Sequence, residues 1–202
     1  MSLKTSYRFF APIYDAMIER ASETARKKSL AALAATSEQN VLISGAGTGL
    51  DFPFLPAQHN YVALDLTAAM QARSQGRMRD LRLSWVMGDS MALPFADESF
   101  HCVVLHLILA VVPQPRLCLT EAARVLKPGG RILVFDKFLR RGQLALVRRA
   151  LSPLSGQVAT RLDVIFEEVL ENVPQLQLLS DQPALANGWF RLIELEKYPS
   201  IG

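Results

Sequence analysis

The fold follows from residues 41–49, which read Val41-Leu42-Ile43-Ser44-Gly45-Ala46-Gly47-Thr48-Gly49. The first three side chains are apolar without polar alternation, which is typical of a strand buried on both faces of a parallel sheet. The glycines that follow predict a tight loop, because glycine tolerates positive φ and lets backbone N–H groups approach a ligand closely. A strand that runs straight into such a loop indicates a ligand site at the carboxyl ends of the strands in an open α/β sheet.

Six further short runs of extended character follow along the chain. They are residues 61–64, 83–87, 100–107, 131–135, 176–180 and 189–196. Helical patterns separate the early runs, which predicts a parallel sheet covered on both faces. The last two runs are joined through Asn187-Gly188 without a helix, so we expect them to pair antiparallel at one edge. The predicted fold is α/β, a three-layer α/β/α sandwich around a mostly parallel seven-stranded sheet with an antiparallel edge hairpin.

Asp65 ends the strand that follows the glycine loop, 20 residues after Gly45. A carboxylate at that point can accept hydrogen bonds from both hydroxyls of a ribose, so loop and acid together predict a nucleoside ligand. The spacing argues against a dinucleotide site, which needs a third glycine where this chain has Leu50, and no P-loop sequence occurs. Taken alone, the glycines could also serve only close packing of a strand against a helix.

Four segments in a fixed order carry a resemblance to a known family. They are residues 41–49, Asp65 with Met70, residues 88–100 (Gly-Asp-Ser-Met-Ala-Leu-Pro-Phe-Ala-Asp-Glu-Ser-Phe) and residues 124–130 (Arg-Val-Leu-Lys-Pro-Gly-Gly). Together they resemble the class I S-adenosylmethionine-dependent methyltransferases of type 11, which have a Rossmann-like fold. Within that family the likeness is to quinone-biosynthesis methyltransferases and bacterial phosphatidylethanolamine N-methyltransferases. The resemblance implies S-adenosyl-L-methionine as cofactor and S-adenosyl-L-homocysteine as product.

The resemblance also implies a role for individual residues of the glycine loop and the strand after it. Gly45, Ala46 and Gly47 would pass beneath the methionine part of the cofactor. Asp65 would hold the ribose, and Leu66 would lie against the adenine.

Two further segments would complete the cofactor site by the same resemblance. Asp89 would accept a hydrogen bond from the adenine amino group, with Ser90 beside the ring, although Asp89 could also be a simple turn residue. Tyr14 would belong to an N-terminal lid that touches the methionine moiety, and Tyr7 would face the acceptor. Simple packing of this aromatic segment on the core is the alternative.

The sequence departs from the family pattern at Ile43, where an acidic residue usually helps to bind the amino acid end of the cofactor. Isoleucine cannot accept hydrogen bonds from an ammonium group, so backbone carbonyls, water or another side chain must do so. This departure leaves open a cofactor-binding protein without catalysis. A nicotinamide oxidoreductase is a third reading, which the glycine spacing opposes.

His106 is the candidate catalytic residue, because it ends the fourth strand and so lies near the expected position of the sulfonium. Methyl transfer mainly requires alignment of the two reactants, and a base is needed only where the acceptor must lose a proton. An imidazole with a pKa of about 6.5 suits that task, whereas a polar pocket wall or a core histidine is the alternative. The segment Leu105-His106-Leu107-Ile108 lacks the Pro-Pro pair of enzymes that methylate nucleobase amines, so nucleic acid is not expected as a substrate.

Length and composition predict a single domain over residues 1–202, of 22.4 kDa. We expect an N-terminal lid and helical segment over 1–36, a cofactor-binding core over 37–136, and substrate-side helices with the last two strands over 137–202. The net charge of +3 does not indicate nucleic acid. Two cysteines in apolar surroundings predict buried free thiols and no metal site. Without an apolar leader or a membrane-spanning run, a cytoplasmic protein is expected.

A basic stretch from Arg131 to Arg161 contains seven Lys and Arg residues against the single acid Asp136, with apolar side chains between them. This pattern is typical of a helix that lies at an anionic membrane surface, and residues 137–154 are the predicted contact with the inner membrane. An ordinary solvated helix is the alternative. The expected acceptor is therefore small or amphipathic, a phosphatidylethanolamine-type amine first and a quinone-precursor ring second.

Overall fold

A computed structural model describes residues 22–78, 80–139 and 164–199 of the chain. The strands are β1 (Asn40–Ser44), β2 (Asn60–Asp65), β3 (Arg82–Met87), β4 (Phe100–His106), β5 (Leu126–Lys137), β6 (Leu176–Leu185) and β7 (Phe190–Lys197). The helices are α1 (residues 22–34), α2 (Ala68–Ser74), α3 (Pro115–Val125) and α4 (Phe166–Leu170). The predicted lid tyrosines, Tyr7 and Tyr14, and the basic stretch beyond Leu139 lie outside the described residues.

The seven strands form one sheet in the order β3-β2-β1-β4-β5-β7-β6. The strands β1 to β5 are parallel, whereas β7 runs antiparallel to both of its neighbours, β5 and β6. The predicted fold is confirmed, including its antiparallel edge. The chain builds outward from β1 through β2 and β3 on one side and through β4 and β5 on the other. The strand order therefore reverses between β1 and β4, where open α/β sheets bind their ligands.

Helices cover both faces of the sheet because its central strands carry apolar side chains on both sides. On one face, α3 and α4 pack over a cluster that includes Val103 and Val134. On the other face, Leu30 and Leu33 of α1 pack over a cluster that includes Ile43. This double burial explains why the runs that form β1 and β4 show no polar alternation.

Two strands are longer than their apolar runs predict. β5 begins at Leu126, which pairs with Phe100, five residues before the predicted start. Gly130 permits this, because a Cβ at that position would lie 2.8 Å from the backbone oxygen of His101. β6 continues to Leu185 as an edge strand whose polar side chains remain in contact with solvent, so hydrophobicity alone does not mark its full length.

Cys102 and Cys118 are free and buried, as predicted. Burial raises the pKa of each thiol to about 12, so both remain protonated at neutral pH. Within the three described ranges, no helix combines the length and apolar character needed to span a bilayer.

Candidate functional site

The carboxyl ends of β1, β2, β3 and β4 meet at one edge of the sheet and carry nearly all of the predicted site residues that the structure describes. Ile43 on β1 pairs with Ala63 on β2 and with Val104 on β4. Asp65, at the end of β2, pairs with Met87 at the end of β3. The glycine loop, Asp65, Asp89 and His106 therefore emerge at the same edge, around the reversal in strand order.

Glycine is required at both ends of the glycine loop, because a different side chain packs closely against each end. Gly45 has φ +75°, and a Cβ there would lie 2.7 Å from Cδ1 of Ile108, in the segment after β4. Gly49 has φ +76°, and a Cβ there would lie 2.7 Å from the ring of Phe52. Gly47, with φ +53°, faces open space, since the nearest atom to its Cβ position is a backbone oxygen 4.0 Å away. The loop is thus tightly packed at both ends and open in the middle.

The N–H groups of the loop are used within the protein. Gly45 and Ala46 both donate to the backbone oxygen of Leu64 at 2.9 Å, and Gly47 donates to Oδ2 of Asp65 at 2.9 Å. We expected these N–H groups to face a ligand, and instead they fasten the loop to the end of β2. The open side of Gly47 is what the loop offers to a ligand.

Asp65 lies half-buried between the glycine loop and the start of α2. Its Oδ2 accepts from Gly47, and its Oδ1 accepts from the backbone N–H of Thr67 at 3.2 Å. The neighbouring Leu66 leaves 68% of its surface exposed, which is unusual for a leucine at the end of a central strand. A carboxylate beside an exposed apolar side chain can receive a ligand with a polar sugar and a flat apolar ring.

Asp89 and Ser90 follow β3 and join this edge through different contacts. Asp89 shapes a turn, because its Oδ1 accepts from the backbone N–H of Met91 at 2.8 Å and its backbone oxygen accepts from Ala92 at 3.0 Å. Ser90 is buried and accepts a hydrogen bond from the hydroxyl of Ser44 at 2.8 Å. The turn contacts of Asp89 agree with the turn alternative, and they leave its ligand role a prediction.

Arg124 holds the segment after β3 in place. Its guanidinium donates to the backbone oxygens of Leu93 at 3.0 Å and Phe95 at 2.8 Å, and to both carboxylate oxygens of Glu121 at 2.8 Å. Glu121 in turn accepts from the backbone N–H of Leu93 at 2.9 Å. The Glu-x-x-Arg spacing on α3 is visible in the sequence and is typical of two side chains that pair on one helix. The spacing does not indicate which loop the pair contacts.

His106 lies in the interior with both ring nitrogens engaged. Its Nδ1 is 2.7 Å from Oδ1 of Asp51, its Nε2 is 3.0 Å from the hydroxyl of Ser29 on α1, and only 4% of the residue is exposed. Its ring packs edge-to-face on Phe135. This environment corresponds to the second reading of His106, a core histidine with its hydrogen bonds satisfied.

Sequence reasoning missed the other members of this cluster. Arg26 on α1 donates to Oδ1 of Asp51 at 2.8 Å, and both side chains are buried. Burial by itself would raise the pKa of Asp51, but His106 and Arg26 outweigh it and hold the pKa of that carboxyl well below its usual range. A carboxylate between the apolar residues Leu50 and Phe52 is visible in the sequence and indicates a buried charge. Its partners Arg26 and His106 could not be identified, because they lie 25 and 55 residues away in the sequence.

Asp136 is a second buried carboxylate, at the end of β5. Its Oδ2 accepts from the backbone N–H of Ala110 at 3.0 Å and its Oδ1 from that of Lys137 at 2.8 Å. Burial raises the pKa of Asp136 to about 6, against the lowering effect of these hydrogen bonds. The residue thereby fixes the loop after β4, in which Leu107 takes a positive φ of 57°.

A cavity of about 410 Å³ lies at the opposite edge of the sheet and is distinct from this site. Thr36, His101 near the amino end of β4 and Arg131 in β5 line it. It contains none of the predicted site residues.

Comparison with known proteins adds a family match for the core of the chain. Residues 42–134 match the family model described as a methyltransferase domain. This range runs from β1 to β5 and contains the glycine loop, Asp65, Asp89 and His106.

Two curated relatives differ in how much of their length is matched. The chain is 29% identical over 201 residues to phosphatidylethanolamine N-methyltransferase of Cereibacter sphaeroides, covering 97% of this chain and 98% of that protein. It is 40% identical over 111 residues to the ubiquinone/menaquinone biosynthesis C-methyltransferase UbiE of Dinoroseobacter shibae, covering 52% of this chain and 44% of that protein. The chain thus spans nearly all of the first relative and less than half of the second.

The fold is shared with solved structures at low sequence identity. The chain superposes on geranyl diphosphate methyltransferase in complex with SAM with a TM-score of 0.71 at 14% identity, covering 87% of this chain and 85% of that one. A likeness at this identity supports the architecture.

Proposed function

We propose that this chain, an S-adenosylmethionine-dependent enzyme of the methyltransferase domain family, methylates an amphipathic acceptor. The acceptor carries a phosphatidylethanolamine-type amine. S-adenosylmethionine supplies the methyl group from its sulfonium. The residues described above fit such a cofactor, since Gly47 faces open space and Asp65 stands beside the exposed Leu66. The observation that carries the acceptor class is the match through 98% of a phosphatidylethanolamine N-methyltransferase.

We propose that the cofactor site uses the ends of three adjacent strands. Gly45, Ala46 and Gly47 would carry the methionine part, and Asp65 would accept hydrogen bonds from the ribose. Leu66 would cover the adenine. The fixed position of the Asp65 carboxylate, held by two backbone N–H groups, supports this assignment because a preorganised acceptor loses little freedom on binding.

The adenine end of the site would be completed by the segment after β3. We propose that Asp89 accepts from the adenine amino group and that Ser90 lies beside the ring, held through its hydrogen bond with Ser44. Tyr14 would close over the methionine moiety from the N-terminal segment. Arg124 supports these roles indirectly, because it fixes the backbone that carries Asp89.

For His106 we propose a positioning role in preference to proton removal from the acceptor. A general base must reach the proton that it takes, and both nitrogens of this ring already contact Asp51 and Ser29 inside the protein. An amine acceptor is compatible with this: once the ammonium group has lost a proton to solvent, the amine lone pair attacks the methyl group and the sulfur–methyl bond breaks, which gives a methylated ammonium and S-adenosylhomocysteine. Alignment of acceptor and cofactor would then supply most of the rate enhancement.

A quinone-precursor ring is the second candidate acceptor. The higher identity to UbiE, 40% over 111 residues, favours it. The match covers only 44% of that protein, however, and so it supports the shared cofactor more than the acceptor. A phosphatidylethanolamine-type amine therefore remains the first candidate.

The test is a direct assay with methyl-labelled S-adenosylmethionine. The protein is incubated with phosphatidylethanolamine vesicles containing phosphatidylglycerol, and separately with a detergent-solubilised quinone-precursor extract, and the label is located by chromatography. We expect label in the lipid amine fraction and its loss in Asp65→Ala, but not in Glu38→Ala, a carboxylate at the far edge of the sheet. Label in the quinone fraction alone would favour the second candidate, and cofactor binding without label in either fraction would contradict both.

A further inference from the structure

Three charged or titratable side chains from distant parts of the chain are buried together beside the glycine loop. Arg26 comes from α1, Asp51 from the segment after the loop and His106 from the end of β4, and each exposes 5% of its surface or less. Burying such groups is unfavourable unless they pair with each other and satisfy their hydrogen bonds. The cluster therefore exists only while all three elements stay in place.

One oxygen atom joins the three elements. Oδ1 of Asp51 accepts from Nη1 of Arg26 at 2.8 Å and from Nδ1 of His106 at 2.7 Å. An ionised carboxylate can only accept, so Nδ1 of His106 carries a hydrogen and Nε2 faces the hydroxyl of Ser29. Because α1 supplies both Arg26 and Ser29, Asp51 and His106 contact that helix at two residues about one turn apart.

The same cluster borders both ends of the glycine loop. Asp51 is followed by Phe52, whose N–H donates to the backbone oxygen of Gly49 at 3.1 Å and whose ring fills the space beside that glycine. His106 is followed two residues later by Ile108, whose side chain packs on Gly45. A shift of Asp51 or His106 would therefore reach the loop through atoms already in contact with it.

We propose that Asp51 is a positioning residue of the cofactor site, which fastens helix α1 and the end of β4 to the glycine loop. Docking of α1 and binding of S-adenosylmethionine are then coupled through a single carboxylate oxygen. This inference rests on the proposed cofactor site at the glycine loop. It assigns a role to a buried carboxylate that lies next to the loop and bonds to Arg26 and His106.

Two substitutions separate positioning from stability. Asp51→Ala removes the shared oxygen, whereas Asp51→Asn can keep an oxygen at the Oδ1 position while it loses the charge and replaces the second oxygen with an amide nitrogen. Both variants remove the carboxylate that pairs with Arg26, so both should unfold at lower temperature than the native protein. Only Asp51→Ala should release the loop from α1 and β4.

The measurement is the affinity for S-adenosylhomocysteine by calorimetry, together with KM for S-adenosylmethionine and kcat, at a temperature where each variant is fully folded. We expect Asp51→Ala to weaken affinity and raise KM by about tenfold while kcat at saturating cofactor changes by less than about threefold. Asp51→Asn should stay within about threefold of the native affinity, as should the exposed control Glu38→Ala. A purely structural role would lower the amount of active protein and leave KM unchanged, and that result would overturn the proposal.

Hydrogen exchange on the native protein tests the coupling without relying on a variant that may not fold. S-adenosylhomocysteine should slow amide exchange in residues 22–34 as well as in residues 45–52. Protection confined to the loop would overturn the coupling to α1. A native protein that does not bind S-adenosylhomocysteine would instead contradict the proposed function, so the two failures are distinguishable.

Discussion

Two buried aspartates at the same edge of the sheet have pKa values displaced in opposite directions. Asp51 pairs with the side chains of Arg26 and His106, and its pKa is lowered. Burial dominates at Asp136, whose hydrogen bonds come from backbone N–H groups, and its pKa is raised to about 6. The interactions with His106 and Arg26 outweigh the loss of solvation at Asp51, whereas the backbone N–H groups and the charge of Lys137 do not outweigh it at Asp136.

The raised pKa of Asp136 predicts how stability depends on pH. The native protein binds this proton more tightly than the unfolded chain, so the contribution of Asp136 to the free energy of unfolding should fall as the pH rises from 3.8 to about 6. The rise in pKa corresponds to about 3 kcal/mol across this window. Asp136→Asn removes the titration. Urea unfolding of both proteins across the window should show the stability difference, native minus variant, decrease by about this amount.

Glu121→Gln is a suitable comparison, because its carboxylate has a lowered pKa, caused chiefly by its hydrogen bond with Arg124. The contribution of Glu121 to the free energy of unfolding should change in the opposite direction. It should be lost as the pH falls through and below the usual pKa of a glutamate. A stability difference for Asp136→Asn that stays constant with pH would contradict the assignment.

The positions of candidate site residues could be predicted where a single strand end determines them. Asp65 ends β2 and Asp89 comes two residues after β3, so the parallel arrangement alone brings both to the edge of the sheet where ligands bind. Asp51 and Arg26 could not be predicted in the same way, because their pairing depends on how α1 crosses the sheet. The sequence gives no local sign of that crossing, and an arginine on an amphipathic helix usually faces solvent.

At the scale of elements, three glycines differ in what the methyl group of an alanine substitution would contact. Gly45 combines a φ of +75° with a Cβ position 2.7 Å from Ile108. Gly129 has a φ of +72° but open space, and Gly76 has open space without a positive φ. The three positions therefore separate backbone strain from steric overlap.

We expect the three alanine substitutions to form a graded series in the free energy of unfolding. Gly76→Ala should change it by less than about 0.5 kcal/mol, and Gly129→Ala should lower it by about 1 kcal/mol from backbone strain alone. Gly45→Ala should lower it by about 2–4 kcal/mol, because overlap with Ile108 adds to the strain. Denaturant unfolding measures all three, and equal effects for Gly45→Ala and Gly129→Ala would show that the loop relaxes around the new methyl group.

The bounds of a strand could be predicted where both of its faces are buried. They were harder to predict for a strand at the edge of the sheet. The apolar runs of β1 and β4 are buried on both faces, so their composition marks them clearly. The extension of β6 to Leu185 rests on hydrogen bonds with β7, and its exposed polar side chains hide it from any hydrophobic pattern. β5 starts early because Gly130 lets its backbone approach that of His101.

For the whole molecule, the unequal distribution of basic residues predicts attraction to an anionic membrane. The protein should cosediment with phosphatidylglycerol-containing liposomes at low salt, and added salt should weaken the binding. Replacing Arg140 and Arg141 with serine should reduce binding by about thirtyfold, because each arginine near the surface contributes about 1 kcal/mol. Replacing Arg73 of α2 and Arg82 of β3 with serine removes the same amount of charge and is the matched control. Equal effects of the two pairs, or no binding at low salt, would contradict the prediction.

The place of β7 in the sheet dictates when a growing chain can finish folding. β6 touches the sheet only through β7, although β7 is made after it. Until residues 190–197 have left the ribosome, the outer edge of β5 stays unpaired along its length and β6 has no strand to join. An exposed strand edge of this kind invites pairing with other chains. The parallel part of the sheet is therefore most exposed to misassembly in the interval between the synthesis of β5 and that of residues 190–197.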